Sequence, residues 1–418
     1  MITLISIACG LLFLIGSPVL VVIGLWCVGV SVVIDMPLSN FGVTLFEGLN
    51  AFALLAMPLF ILTGDLISAA GIARKLTAFA HACLGWMRGG FAMATLGACG
   101  TFAAISGSNA ATAATIGAIM YPQMEKDGYN KEFSAMTIAA GGTVGIIIPP
   151  SILFITYGFL TNLSINDLFT AGFIPGVMMI LSMMCICFLL SCKNKWGTLI
   201  SFSPRKAIRT GLEAYLGFVA IFLIVFGISS GAFSPTESAA MCVGFCFFAG
   251  LLITRDLKLR HLPDVLFNSG KMVGMVAPLV AVSIAMQQVL TAMGIGEVLD
   301  AIFGNMGYWG VMLISMAVIF VAGMMLESVP VVTIFAPLLA PVAVAAGINP
   351  IHFAMVILVG TAIGFITPPF GLNLFVVSTV TQIPYNRVIR FVPHYLFALL
   401  LTWFAIAFIP QLSLFMLE

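Results

Sequence analysis

Charge is what this sequence lacks. Asp, Glu, Lys and Arg make up 7% of its 418 residues, against 61% hydrophobic residues, and the mean hydropathy is +1.19. An ordinary soluble domain is roughly a quarter charged, so this chain has too little charge to clothe a water-facing surface. Soluble enzyme, nucleic-acid binder and disordered scaffold are excluded, leaving a polytopic membrane protein. A bias in charge sign is missing too: 16 basic and 15 acidic residues give a net +1, with no pull toward an acidic partner. The nine cysteines contain no Cys-x-x-Cys pair and lie mostly inside apolar runs, so they read as small packing residues rather than a disulfide framework. No basic residue precedes Arg74, so the positive start of a cleavable leader is absent. His81, His261, His352 and His394 form no His-Glu-x-x-His, and no Gly-x-x-x-x-Gly-Lys-Ser/Thr occurs. Neither metal catalysis nor ATP hydrolysis by this chain finds support. An intramembrane enzyme would need a paired acid, base or metal set, and none is visible.

What is present is apolar length, interrupted in a pattern. A span needs about 20 apolar residues. Polar breaks bound runs at 2–16, 18–34, 46–70, 89–105, 109–123, 131–161, 165–192, 213–230, 236–254, 272–291, 309–326, 329–346, 350–383 and 391–416. The second half repeats the first. Gly16-Ser17-Pro18 matches Ser234-Pro235-Thr236, Pro58 matches Pro278, and Ala70-Gly71-Ile72 matches Met293-Gly294-Ile295. Further along, Pro122 matches Pro341, Gly145–Pro150 matches Gly364–Pro369, and Pro175 matches Pro393. These six pairs, in order and 217–223 residues apart, indicate a duplicated unit, a common plan of secondary transporters.

The expected fold is therefore an all-α polytopic membrane protein of two inverted-topology repeats, 1–192 and 212–418, joined by a connector at 193–211. Each repeat has five spans, a re-entrant hairpin (89–123 and 309–346, with arms too short or too broken for full spans) and a Pro-Pro-broken helix (131–161 and 350–383). An odd number of crossings inverts the second unit. With both termini outside, all 16 Lys and Arg residues fall on the cytoplasmic side, leaving Asp35, Glu47, Asp167, Glu297, Asp300 and Glu418 outside. That is the positive-inside rule without exception. Segments 2–16 and 18–34 are short and also fit one long tilted helix. Residues 71–88, amphipathic and basic, are expected in the cytoplasmic interface, with an acidic counterpart at 294–308. Glu237 and Asp65 are expected near span ends.

Chemistry is expected where polar groups and helix breakers interrupt apolar runs, since unpaired backbone is tolerated only inside protein or around a cavity. The first tip reads Ser106-Gly107-Ser108-Asn109 with Thr112 beyond it, followed by Gly142, Gly145, Pro149-Pro150 and Ser151. The second reads Glu327-Ser328-Val329-Pro330 with Thr333, then Gly360, Gly364, Thr367-Pro368-Pro369 and Asn373. Hydroxyls, an amide oxygen and carbonyls freed by proline suit a hard cation such as Na⁺, and hairpin N-termini suit an anionic substrate. For a lone Gly-Pro, close packing or a simple kink is the better reading; the duplicated arrangement reverses that judgement. Glu327 is ionisable at membrane depth and functional by default, against a hydrated structural place at the outer mouth.

Four stretches then carry a resemblance: Ala53-Leu-Leu-Ala-Met-Pro-Leu-Phe-Ile-Leu-Thr-Gly-Asp65, Phe102-Ala-Ala-Ile-Ser-Gly-Ser108, Gly145-Ile-Ile-Ile-Pro-Pro-Ser-Ile152 and Phe233-Ser-Pro-Thr-Glu-Ser-Ala-Ala240. Together they resemble the large membrane subunit of tripartite ATP-independent periplasmic (TRAP) transporters, over essentially the whole chain. The resemblance implies a bacterial inner-membrane transporter rather than an enzyme. It implies Na⁺-driven import of an organic acid, of the sialic acid or C4-dicarboxylate type, by an elevator mechanism. A periplasmic substrate-binding protein would deliver the acid, and a small membrane subunit would accompany the large one in the bilayer. Carried over, Ser106, Ser108, Asn109, Gly142 and Gly145 with the Pro149 break form one cation site; Glu327, Ser328, Gly360, Gly364 and Thr367 form the other. Ser108, Thr112, Ser151, Thr333 and Asn373 are the expected substrate contacts. Helices in 18–70 and 213–291 would be scaffold, and the hairpins, broken helices and last span of each unit the mobile part. Relatives often carry Asp followed promptly by Pro or Thr where this chain has Glu327-Ser-Val-Pro. The rival within the same class is a stand-alone Na⁺/dicarboxylate symporter that needs no binding protein; a passive channel is a third possibility.

Overall fold

In the computed structural model, residues 1–198, 201–304 and 306–417 are described, apart from the side chain of Asp300. Glu418 and the Asp300 side chain, both expected on the outer face, lie outside them. All regular structure among the described residues is helical, as expected where each segment must pair its own backbone in lipid. The first half contains α1 (Ile2–Leu14), α2 (Val19–Val33), α3 (Leu38–Leu49), α4 (Ala56–Ala69) and α5 (Ile72–Leu84). It continues with α6 (Gly90–Ser106), α7 (Asn109–Lys126), α8 (Lys131–Gly142), α9 (Ile152–Thr161) and α10 (Ile165–Asn194). The second half contains α11 (Pro204–Glu213), α12 (Tyr215–Ser229), α13 (Pro235–Phe248), α14 (Leu262–Ala292), α15 (Ile295–Phe303) and α16 (Gly307–Met325). Then come α17 (Ser328–Ala345), α18 (Pro350–Gly364), α19 (Leu372–Thr381), α20 (Tyr385–Val388), α21 (Val392–Phe408) and α22 (Gln411–Leu414).

The order of elements recurs at the paired prolines. Hairpin α6–α7, broken helix α8/α9 and long α10 return as hairpin α16–α17, broken helix α18/α19 and the α20–α21 rod. Pro122 and Pro341 lie inside the second arms of their hairpins, and Pro-Pro interrupts each broken helix, cis in both. Local chemistry sets the boundaries. Ser108 and Ser151 cap α7 and α9 through their hydroxyls, and Asn349 caps α18. Glu237 lies at the start of a span as expected: it closes a capping box on α13 by accepting from Ser234 N at 2.7 Å and Ser234 Oγ at 2.8 Å. Asp65 is one turn from the end of α4 and accepts a 2.5 Å hydrogen bond from Ser269 Oγ of α14.

Some expectations change in detail, and one open choice is decided. Residues 2–34 are two helices, as the segments 2–16 and 18–34 suggest, and not one long tilted helix: Gly16-Ser17-Pro18 breaks the chain, α1 packs back on α2, and Trp26 Nε1 donates to Ser6 Oγ at 3.0 Å. At 13 and 15 residues they are each about 20 Å long, short of the ~30 Å hydrocarbon core. The run 46–70 is not one span, because Asn50-Ala51 separates α3 from a 3-10 turn and α4. The connector expected at 193–211 holds most of α11, which is bent 63° from α12. Finally, arm length does not make the second hairpin re-entrant, since α16 and α17 are each long and apolar enough to cross. By length and composition seven helices among the described residues qualify as spans, or eight counting α11 with α12, while α1, α2, α6, α9, α18 and α19 are apolar but shorter.

The loops carrying basic clusters touch one another in succession. Gly71 lies against Asp256, Phe79 against Gly211, and Asp127 accepts hydrogen bonds from Thr198 N and Oγ1. Trp196 packs on Phe391. Elsewhere Thr236 Oγ1 donates to Phe52 O at 3.2 Å, and His352 Nδ1 lies 2.7 Å from Ser413 Oγ. The basic loops are thus gathered in one region of the molecule. Between the ends, Tyr395, on α21, bonds Thr137 Oγ1 at 2.6 Å and Cys187 Sγ at 3.2 Å, tying α21 to α8 and α10.

Candidate functional site

The first tip is assembled from short polar side chains and glycines. The end of α6 turns at Gly107, whose φ of +57° requires the left-handed region and whose missing Cβ would lie 2.8 Å from Pro150 O. Only glycine meets both conditions. Thr112 Oγ1 donates to Ser108 O at 2.7 Å; its proton is then committed, so Ser106 Oγ is the donor across their 3.1 Å contact. A Cβ on Gly145 would fall 2.5 Å from Ser108 O, and one on Gly142 would fall 2.9 Å from Asn373 Nδ2. Both glycines are therefore seats for the tip.

Asn373 is the part the sequence placed with the other half. It lies on α19, which packs on α7 and α8. Its Oδ1 accepts from Asn109 Nδ2 at 3.2 Å, and its Nδ2 donates to Ala139 O at 3.1 Å. Ser106, Asn109, Thr112 and Asn373 are all buried. The structure thus brings Ser106, Ser108, Asn109, Thr112, Gly142, Gly145 and Asn373 into one cluster without a charged side chain. Pro149 is buried beside it. Ser151 is fully buried; its hydroxyl donates to Ile146 O at 2.7 Å and accepts from Leu153 N at 3.2 Å, which makes it the cap of α9.

The second tip is built differently. Glu327 precedes α17 without capping it and is exposed. Ser328 and Thr333 are buried, and Thr333 Oγ1 donates to Pro330 O at 3.2 Å. Thr367 Oγ1 donates to Ile363 O at 2.9 Å. A Cβ on Gly364 would lie 2.3 Å from Gly323 C, so α16 and α18 meet backbone to backbone. Gly360 seats the Trp403 indole, whose Nε1 donates to Val356 O at 2.8 Å. Among the described residues no hydrogen bond joins Glu327 or Ser328 to Gly360, Gly364 or Thr367. Pro369 and Phe370 are exposed, and Tyr385 Oη approaches their carbonyls at 2.7 and 2.8 Å.

Sequence reasoning missed four contributors: Gly64, whose Cβ would meet Ser106 at 3.2 Å, Gly323, Tyr385 and the Ala139 carbonyl. Gly64 stands inside a quoted motif and was the one with a visible signal; the others act only through contacts distant in sequence. No three His, Cys, Asp or Glu side chains converge among the described residues. The oxygen donors near the first tip are hydroxyls, amides and carbonyls, a hard and uncharged set that fits an alkali cation better than a transition metal.

A family profile described as "Tripartite ATP-independent periplasmic transporter, DctM component" matches residues 4–412. The chain belongs to this DctM family. The C4-dicarboxylate TRAP transporter large permease protein DctM of Pseudomonas aeruginosa is 37% identical over 90% of this chain and 88% of its own length. Its namesake in Rhodobacter capsulatus is 32% identical over 96% of both chains. The ectoine/5-hydroxyectoine TRAP transporter large permease protein UehC of Ruegeria pomeroyi is 33% identical over 89% of this chain and 87% of its own. Among solved structures, the YdaH transporter of Alcanivorax borkumensis matches 90% of this chain and 88% of its own at a TM-score of 0.65 and 15% identity, a likeness of fold alone. This DctM-family chain is accordingly the large permease component of a TRAP transporter, a multi-pass membrane protein, and its relatives are named as permeases rather than enzymes.

Proposed function

We propose that the chain moves an organic acid across the bacterial inner membrane in symport with Na⁺, by an elevator movement. The acid is of the C4-dicarboxylate or sialic acid type. An extracytoplasmic binding protein delivers it, and a small membrane subunit braces the large one. The observation that carries the reading is the Asn109–Asn373 amide bridge of 3.2 Å. It joins a hairpin tip of one half to the broken helix of the other, inside a buried cluster of hard oxygen donors. A cation held there ties the two halves into one body and neutralises part of an approaching carboxylate's charge, while the N-terminus of α7 offers its dipole to the anion.

The contacts of α4 with this tip suit a sliding surface. Gly64 lets Ser106 approach, and Ser68 Oγ lies 3.4 Å from Thr115 Oγ1; small side chains permit close passage without interlocking. The gathered basic loops belong on the cytoplasmic face by the positive-inside rule, which puts both termini outside. C4-dicarboxylates are the first substrates to try, because the relatives at 37% and 32% identity carry that name. The test is uptake of labelled succinate or sialic acid into proteoliposomes holding the complete transporter. The reading expects uptake only with an inward Na⁺ gradient and the loaded binding protein. Uptake unchanged without that protein would make the chain a stand-alone symporter, and flux indifferent to Na⁺ would make it a passive channel.

A further inference from the structure

Helix α11 buries none of its side chains, yet it is held in place. Gly211 lets it settle on Phe79 of α5, where a Cβ would come 3.1 Å from the ring, and Phe79 stacks edge-on against Phe218 of α12 at 5.1 Å. The helix leaves the axis of α12 by 63°, as a segment lying along a membrane surface does. Arg205, Ile208, Arg209 and Leu212 follow one another at i, i+3, i+4 and i+7, so basic and apolar side chains share one face. That face and Lys75 of α5 border an open groove of about 750 Å³. Ile208 and Leu212 are 65% and 69% exposed, and Tyr215 is 46% exposed. Three cations border the groove with one anion, Glu213, which pairs with Arg209 at 3.0 Å. Lys75 and Arg205 have no ion-pair partner among the described residues.

We infer that this groove binds an anionic phospholipid, its headgroup phosphate on Lys75 and Arg205 and its acyl chain along Ile208, Leu212 and Tyr215. The net positive charge complements the phosphate. The exposed apolar residues directly beside it need cover that a free anion does not supply. A lipid leaflet brings charge and chain together on the side where the other basic loops gather. The inference concerns a face remote from the Asn109 cluster and stands whichever substrate the transporter carries.

Native mass spectrometry of the detergent-solubilised complex tests it, with phosphatidylglycerol and phosphatidylcholine of matched chains titrated against each other. The expected result is retention of phosphatidylglycerol over phosphatidylcholine, with the preference falling about five-fold for each cation removed in Lys75→Gln and Arg205→Gln. The charge-conserving pair Lys75→Arg and Arg205→Lys is expected to keep it, which separates lost charge from lost fold. Arg387→Gln/Arg390→Gln, at another basic loop, is expected to leave it unchanged. Millimolar glycerol phosphate is expected not to displace the lipid, and displacement would show a free-phosphate site instead. Equal retention of both lipids by the unaltered protein would overturn the inference. So would loss of the small membrane subunit, rather than of lipid, in Lys75→Gln/Arg205→Gln, because the groove would then be a subunit interface.

Discussion

The two hairpin tips occupy matching places in a repeated order of elements, yet they are held by different forces. The first is polar and closed: Ser106, Asn109, Thr112 and Asn373 are buried and hydrogen-bonded to one another or to neighbouring carbonyls. The second is packed: Gly364 rests on the Gly323 backbone, Gly360 holds an indole, and Glu327 at the tip is exposed, its carboxylate without a hydrogen bond among the described residues. The breaks thus fall at matching places in the two halves, while the interactions that fill them differ. A buried hydrogen-bonded cluster loses most when one partner leaves; a backbone-on-backbone contact loses most when an atom is added.

Substitutions separate these cases. The largest effect is expected from Gly364→Ala, because its Cβ meets main chain at 2.3 Å and neither helix can yield by rotating a side chain. A loss of about 3 kcal/mol is expected, seen as a lowered thermal midpoint of the purified protein. Asn373→Ala comes next, at about 2 kcal/mol, because it leaves the Asn109 amide and the Ala139 carbonyl buried without their partner. Transport should fall with it, and fluorescence-detected unfolding beside uptake measures both. Trp403→Phe, in the second half, forfeits one hydrogen bond to Val356 O while keeping most of the ring's packing, and about 1 kcal/mol is expected in the same unfolding assay. Glu327→Gln is expected to shift stability by less than about 0.5 kcal/mol. Were it as costly as Asn373→Ala, the second tip would be a polar centre after all, and the contrast between the halves would be lost.

Much of this architecture was legible from the breaks. The hairpin expected at 89–123 appears as Gly90–Ser106 and Asn109–Lys126, and the broken helix at 131–161 as Lys131–Gly142 and Ile152–Thr161. Glycine, proline and capping serines act within a few residues of themselves, so the sequence displays them. The separation of α3 from α4 was hidden because residues 46–70 stay apolar across Asn50, and hydropathy alone does not register a change of helix direction. At the site, Ser106, Asn109 and Thr112 share the hairpin tip, and Gly142 and Gly145 come on the next helix and the turn after it, so all five were legible as near neighbours in sequence. Asn373 was found as a polar residue after a break but assigned to its own half. Its partner lies 264 residues away, and nothing local says which helix will pack across the pseudo-symmetric pair. Gly323 escaped notice for the same reason: a glycine in an apolar helix shows its purpose only once the opposing backbone is seen.

On the proposed reading the amide-bridged first tip is a place where the coupling cation acts. The most direct test is the Na⁺ dependence of succinate uptake by proteoliposomes bearing the unaltered transporter or Asn109→Ala, each verified as folded. Asn109→Ala is expected to raise the Na⁺ concentration for half-maximal uptake by about tenfold, the worth of a lost buried hydrogen bond, while Glu327→Gln shifts it far less. An unchanged Na⁺ activation curve in folded Asn109→Ala would mean that the coupling cation does not act at this tip.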